Sequence, residues 1–277
     1  MKKLLAFILA ALMIVSFAAC SDEEEQVEDL KDYLQKDEIV NFVTNENGET
    51  FHFDLIDSET VKITGYDAPD AKHALVIPET LDNKTVVEIA DAAFRTCNSI
   101  NSLTIPATVE KIGNYAFEGC ELLTEINIPA NVKSIGVGAF KSCTAVTKVT
   151  FAEGAAIDTI AMHTFQQCVA LTSITVPAHV KTVKQGAFID CVALAEVVIA
   201  DGVKVIEKQA FQNCTALATI TLPASLTAIG DQAFSGSENL YIGGATYPAD
   251  SVAEEYFQKE GHILTEKPAE ENNDAQA

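Results

Sequence analysis

Six cysteines of this chain recur in one phrase. Cys97, Cys120, Cys143, Cys168, Cys191 and Cys214 each follow a phenylalanine by three residues, as in AFEGC, AFKSC, TFQQC and AFIDC. Cysteines repeated in this way could pair as disulfides, hold a metal ion, or fill a core as free thiols. No C-x-x-C or H-x-x-x-H spacing accompanies them, so a tetrahedral metal site has no local framework.

The other titratable residues are less ordered. His52, His73, His163, His179 and His262 fall at different points of the chain and form no motif, which reads as exposed surface histidine. There is no G-x-S-x-G, P-loop or H-E-x-x-H, and the many acids never pair at a recurring spacing of the kind glycoside hydrolysis needs. Gly243-Gly244 is a lone turn signal. The expectation is a chain without catalytic residues, cofactor or metal.

The elements that carry the cysteines are repeats. Phe94, Phe117, Phe140, Phe165, Phe188, Phe211, Phe234 and Phe257 are spaced by 23 residues, and once by 25. A fixed period of this length signals a stacked-coil architecture. Ahead of most of these phenylalanines lies an apolar pair, such as Val109/Ile112 or Val203/Ile206. Further back is an alternating triplet closed by proline: Leu103-Thr-Ile105-Pro106, Ile126-Asn-Ile128-Pro129, Ile174-Thr-Val176-Pro177, Ile220-Thr-Leu222-Pro223. Alternation at period two predicts a half-buried strand, and proline, lacking an N–H, ends it. The A-F-x-x-C segment predicts a single helical turn or a tight corner. After Phe234 and Phe257 the cysteine is replaced by Ser237 and Glu260, a decay that suits a capping end.

The pattern L-x-x-I-x-I-P … V-x-x-I-G-x-x-A-F-x-x-C-x-x-L resembles the bacterial leucine-rich repeats of the BspA-like family. The resemblance covers about residues 74–262. It implies a leucine-rich-repeat solenoid of stacked coils with short parallel β-strands. The segment Phe51–Leu55 with Val61–Tyr66 resembles the N-terminal β-hairpin cap of such arrays, and Ile77–Val86 their longer first coil. Ala152 and Ala200 stand where proline is usual. Two extra residues between Phe151 and Phe165 should bulge one coil without breaking the stack.

Stacking places the cysteines in one core column. Equivalent residues on coils about 5 Å apart point the same way, whereas a disulfide needs converging vectors. The expectation is free packed thiols bonding weakly to corner carbonyls, with disulfide as the competing reading. Function then falls to the variable positions. One outward column runs Thr104, Asn127, Thr150, Thr175, Val198, Thr221, which is either strand propensity or a flat polar face for an extended ligand. A second column holds Lys181 and Lys204, neighbours in an acidic protein, which either stay solvated or attract an anionic patch.

Outside the array, Lys2 and Lys3, an apolar run and Ala18-Ala19-Cys20 resemble a bacterial lipoprotein signal. That implies residues 1–19 as signal peptide and Cys20 as the lipidated residue, with several acyl chains, palmitate among them. Residues 20–50 read as an acidic linker with a short amphipathic helix (Val27, Leu30, Leu34). Within it Ser21-Asp22-Glu23-Glu24-Glu25 is either a solvated run or an acidic surface-export signal. Residues 51–86 read as cap and first coil, 87–265 as the array, and 266–277 as a disordered tail. The net charge of −22 argues against nucleic acid as a partner. The family resemblance implies a cell-surface binding protein, lipid-anchored to the bacterial outer membrane. Its partner would be a host or neighbouring-cell surface protein such as a matrix component. An envelope scaffold and a glycan-capture lipoprotein are the competing readings.

Overall fold

The computed structural model describes residues 41–69, 71–242 and 245–260. Cys20, the signal segment, the Val27–Leu34 stretch, His262 and the tail lie outside the described residues. The described chain opens with an antiparallel meander, β1 (Asn41–Thr44), β2 (Thr50–Leu55) and β3 (Thr60–Asp67). The expected hairpin is β2–β3. Strand β1 joins it from within the stretch read as linker, and its pairing partner Phe51 is core.

Two parallel ladders then run through the coils. One starts where β3 pairs with β6 (Lys84–Ile89). It continues through two-residue strands such as Lys111–Ile112 and Ser134–Ile135, and resumes from Thr159–Ile160 to Ala228–Ile229. A hairpin of Thr80–Leu81 on β6 precedes it, turning through Asp82 and Asn83 at φ 49° and 59°. Both values suit a type I′ turn, which asparagine and aspartate tolerate. The other ladder is made of the alternating triplets, most of them closed by proline. It comprises β4 (His73–Val76) with β7 (Ile100–Thr104), and β9 (Glu125–Ile128) with β11 (Lys148–Phe151). A third group is β13 (Ser173–Val176), β15 (Glu196–Ile199), β17 (Thr219–Thr221) and β19 (Ala245–Thr246). Here β5, β8, β10, β12, β14, β16 and β18 denote the two-residue strands of the first ladder and its hairpin, in chain order.

The A-F-x-x-C segments are corners rather than helices. The cysteine N–H bonds back to the phenylalanine carbonyl, as in Cys120 to Phe117 (3.3 Å) and Cys191 to Phe188 (3.3 Å). The chain then reverses through left-handed residues. Every corner uses two, one at Tyr115, Gly138, His163 and their equivalents and one at Thr96, Gly119, Ser142 and theirs. Most are not glycine, so the conformation costs up to about 1–2 kcal/mol each. Bonds between coils hold it: Phe117 N–H donates to Ala139 O and Phe188 N–H to Ala210 O, both at 2.8 Å.

The core is a set of columns. Successive rings from Phe94 to Phe234 stack with centroids 4.9–5.8 Å apart and nearly parallel planes. Tyr66 covers the first ring at 5.1 Å. Phe257 covers the last at 5.8 Å, but from helix α1 (Val252–Lys259), not from an eighth corner. The period thus continues into a different element. Ser251 caps this helix by accepting from Glu254 N–H, and Glu254 and Glu255 sit in its first turn, where the helix dipole favours them. The two extra residues leave as an exposed turn at Ala152–Gly154, closed by Ala155 N–H to Ala152 O (3.0 Å). Phe140 and Phe165 across that coil stay stacked at 5.8 Å.

Candidate binding face

The thiols are packing groups. Cys120, Cys143, Cys168, Cys191 and Cys214 are fully buried and free, and each Sγ donates to a phenylalanine carbonyl of the preceding coil at 3.2–3.4 Å. Burial pushes the Cys143 and Cys191 thiols up to about 12 and half-buried Cys97 up to about 11. Burial thus favours the protonated thiol, the less nucleophilic form. Among the described residues no group of three His, Cys, Asp or Glu could hold a metal ion.

The outward column forms as the alternation requires. Thr150 registers with Asn127, Thr175 with Val198, and Val198 with Thr221. Two members that sequence reading missed extend it, Val76 beside Thr104 and Thr246 beside Thr221. Thr104, Asn127, Thr175 and Thr221 are exposed and Thr150 half-buried, while the alternate residues Ile126, Ile174 and Ile220 are core. The column is interrupted twice, since β7 does not pair with β9, nor β11 with β13. At the first interruption lies a hollow of about 310 Å³ whose lining includes Thr104, Asn127 and Thr150 together with Ile105, Pro129 and Phe151. Thr150 Oγ1 donates to Asn127 Oδ1.

The lysine column lies elsewhere, at the start of the two-residue strands. Lys181 and Lys204 are exposed and adjacent, joined by Lys204 N–H to Lys181 O at 2.8 Å. The Lys181 ammonium rests over the carbonyls of Ala178 and Gly202 at 3.3 and 3.4 Å. The structure therefore does not bring the lysines and the threonine column into one site. Two coils before Lys181, the equivalent Lys133 is paired with Glu110 at 2.6 Å.

Two arrangements had no sequence signal. Glu49, only 5% exposed, accepts from Tyr66 Oη (2.8 Å) and Asn45 Nδ2 (2.6 Å), and His73 Nε2 lies 2.7 Å from the same Tyr66 oxygen. This cluster ties β3 and β4 to the β1–β2 turn, and burial with the Glu49 contact raises the Tyr66 phenol strongly. None of the four described histidines is exposed as expected. His52, His73, His163 and His179 are all half-buried, with His163 Nδ1 and His179 Nε2 buried without a hydrogen bond. His163 occupies a corner position and its ring lies over Gly186, as Tyr115 lies over Gly138.

The residues 76–194 and 158–263 match the BspA type leucine rich repeat region, in six copies. The chain belongs to the BspA-type leucine-rich-repeat family. Solved structures similar to this BspA-type array include a leucine rich cell surface protein from Faecalibacterium prausnitzii (32% identity, TM-score 0.60), covering 76% of this chain and 55% of that one. The T. pallidum leucine rich repeat protein has 26% identity and a TM-score of 0.62, covering 82% and 95%. A leucine-rich repeat protein from Eubacterium ventriosum has 30% identity and a TM-score of 0.60, covering 71% and 50%. This chain thus spans about half the length of the first and third. No curated protein matches it. Among the described residues no helix is long and apolar enough to cross a membrane.

Proposed function

We propose that this chain is a surface-anchored binding protein, an adhesin or interaction module whose ligand is a protein on a host or neighbouring cell. The observation that carries the reading is the outward column from Thr104 to Thr246. Its side chains are exposed or half-exposed, uncharged and in register within each group of paired strands, while the alternate residues form the core. A repeat protein binds through such variable positions, because its framework residues are committed to stacking. The F. prausnitzii relative, described as a cell surface protein, supports placing this chain outside the cell. Lipid on Cys20 would hold it on the outer membrane and leave the array free. Catalysis, cofactor and nucleic acid have no part in this reading.

The test is binding of the purified chain to immobilised matrix proteins and mucins at two salt concentrations. Saturable binding that falls about tenfold or more in a Thr175→Lys/Thr221→Lys double variant supports the face. Absence of binding at micromolar concentration overturns it in favour of an envelope scaffold. Cys20→Ser should move the chain from the membrane to the soluble fraction, and unchanged retention would sink the anchoring.

A further inference from the structure

The hollow between β7 and β11 combines three features. First, the ladder is open there. β7 and β9 do not pair, and Pro129, which follows β9, has no N–H to offer. Second, its lining includes an aromatic residue. Phe151 occupies the strand position that Ile105, Ile128, Val176, Ile199 and Leu222 fill in other coils. Those five are buried, whereas Phe151, with the larger side chain, is only half-buried and borders the hollow. Third, its rim holds hydrogen-bonding capacity that the protein does not use. Thr150 donates to Asn127 Oδ1, which orients the amide. Among the described residues, neither Asn127 Nδ2 nor Thr104 Oγ1 makes a hydrogen bond. No charged side chain lines the hollow, in a protein of net charge −22.

We propose that this hollow is a subsite for one neutral sugar residue of a glycan. An uncharged ligand fits an uncharged lining. A hydroxyl-bearing ring both donates and accepts, so it can engage Asn127 Nδ2, Thr104 and Thr150 together. The C–H face of such a ring suits the electron-rich face of Phe151. A purely apolar side chain would instead cover Asn127 and Thr104 without satisfying them, which costs binding energy. The volume, about 310 Å³, is at the small end of the roughly 300–1,000 Å³ of ligand sites, which fits a single ring. The site takes three members of the outward column, Thr104, Asn127 and Thr150, and leaves Thr175 and Thr221 to the protein-binding reading above, so either can fail without the other.

The test is saturation-transfer NMR on the full chain, with maltotriose, cellotriose and chitotriose as neutral probes and trigalacturonate as the charged control. At least one neutral probe should bind in the millimolar range, about 0.1–10 mM, and the charged one should not. Asn127→Ala removes an exposed amide, and Phe151→Ile installs the residue of the neighbouring coils, so both variants should keep the fold. Each should weaken binding by roughly 5–10-fold, while Gln258→Ala, at an exposed position of helix α1, leaves it unchanged. Absence of a saturable response to every neutral probe overturns the proposal, as does an affinity unaltered in both variants. A glycine- and proline-rich uncharged peptide that binds with the same losses, while no saccharide does, reassigns the hollow to a protein ligand and overturns it too.

Discussion

Cys143 Sγ lies 3.2 Å from the carbonyl oxygen of Phe117, a residue 26 positions earlier in the chain. Corner and coil are joined by this contact, since Cys143 N–H also bonds to Phe140 O within its own corner at 3.4 Å. Replacing the thiol removes a small buried group and one weak bond. Cys143→Ala should therefore lower stability by about 1–2 kcal/mol. Phe140→Ala in the same corner opens a cavity between two stacked rings and should cost about 3–5 kcal/mol. Urea midpoints of the two variants measure the difference, and equal losses would mean that the ring column does not dominate the core.

Ser237 takes the cysteine position in the last corner. Its side chain is fully buried and its hydroxyl has no hydrogen-bond partner. A serine hydroxyl is more strongly solvated than a thiol, so leaving it unpaired costs more. Ser237→Cys should raise stability by about 1 kcal/mol, seen as a higher midpoint of thermal unfolding. A lower midpoint would show that the corner lacks room for sulfur.

Gly138 and Gly136 separate two reasons for glycine in one corner. Gly138 has φ +61°, and a Cβ there would meet the Tyr115 ring at 2.6 Å. A Cβ on Gly136 would meet backbone, Asn114 N, at 2.5 Å. Gly138→Ala should cost about 1–3 kcal/mol, and Tyr115→Ala in the same chain should recover part of it, because a side chain can be removed. Gly136→Ala should cost more and gain nothing from Tyr115→Ala. Recovery in both double variants would refute the assignment of the second clash to backbone.

Alkaline pH should unfold this protein through its thiols. The folded values of Cys143 and Cys191, about 12, lie above the ordinary 9.0. Between these values the unfolded chain releases protons that the folded chain keeps, so stability is full below pH 9 and is lost as pH rises toward 12. The slope is about 1.4 kcal/mol per pH unit for each such thiol. Cys143→Ala should flatten the decline measured by urea unfolding between pH 9 and 10.5. In the native state near pH 8, iodoacetamide should reach Cys97 before the five buried cysteines of the array, as its thiol is only half-buried.

The repeat was readable because phenylalanine, cysteine and the proline-closed triplets keep one period, and a stack turns a period into columns. The two-residue strands such as Lys111–Ile112 were not readable as strands, for two residues carry no alternation. Phe257 kept the spacing yet belongs to a helix. What its position requires is a ring over Phe234, and a helix with a serine cap supplies one as well as a corner does. The cluster of Glu49, Tyr66 and His73 joins three segments with no common spacing, so only the folded cap brings them together. Phe151 was hidden for the opposite reason. It stands at a regular core position, and only its size, met by the open ladder, leaves it half on the surface.

The corners also set the step in which such a gene can change. Each coil presents the next with the same ring, carbonyl and amide, so duplication or deletion of one whole coil creates no contact of a new kind. A shift by one or two codons has no such refuge, except where a turn can spill it outward, as Glu153 and Gly154 do. Reach along a ligand is therefore adjustable in whole coils, without redesign of the core.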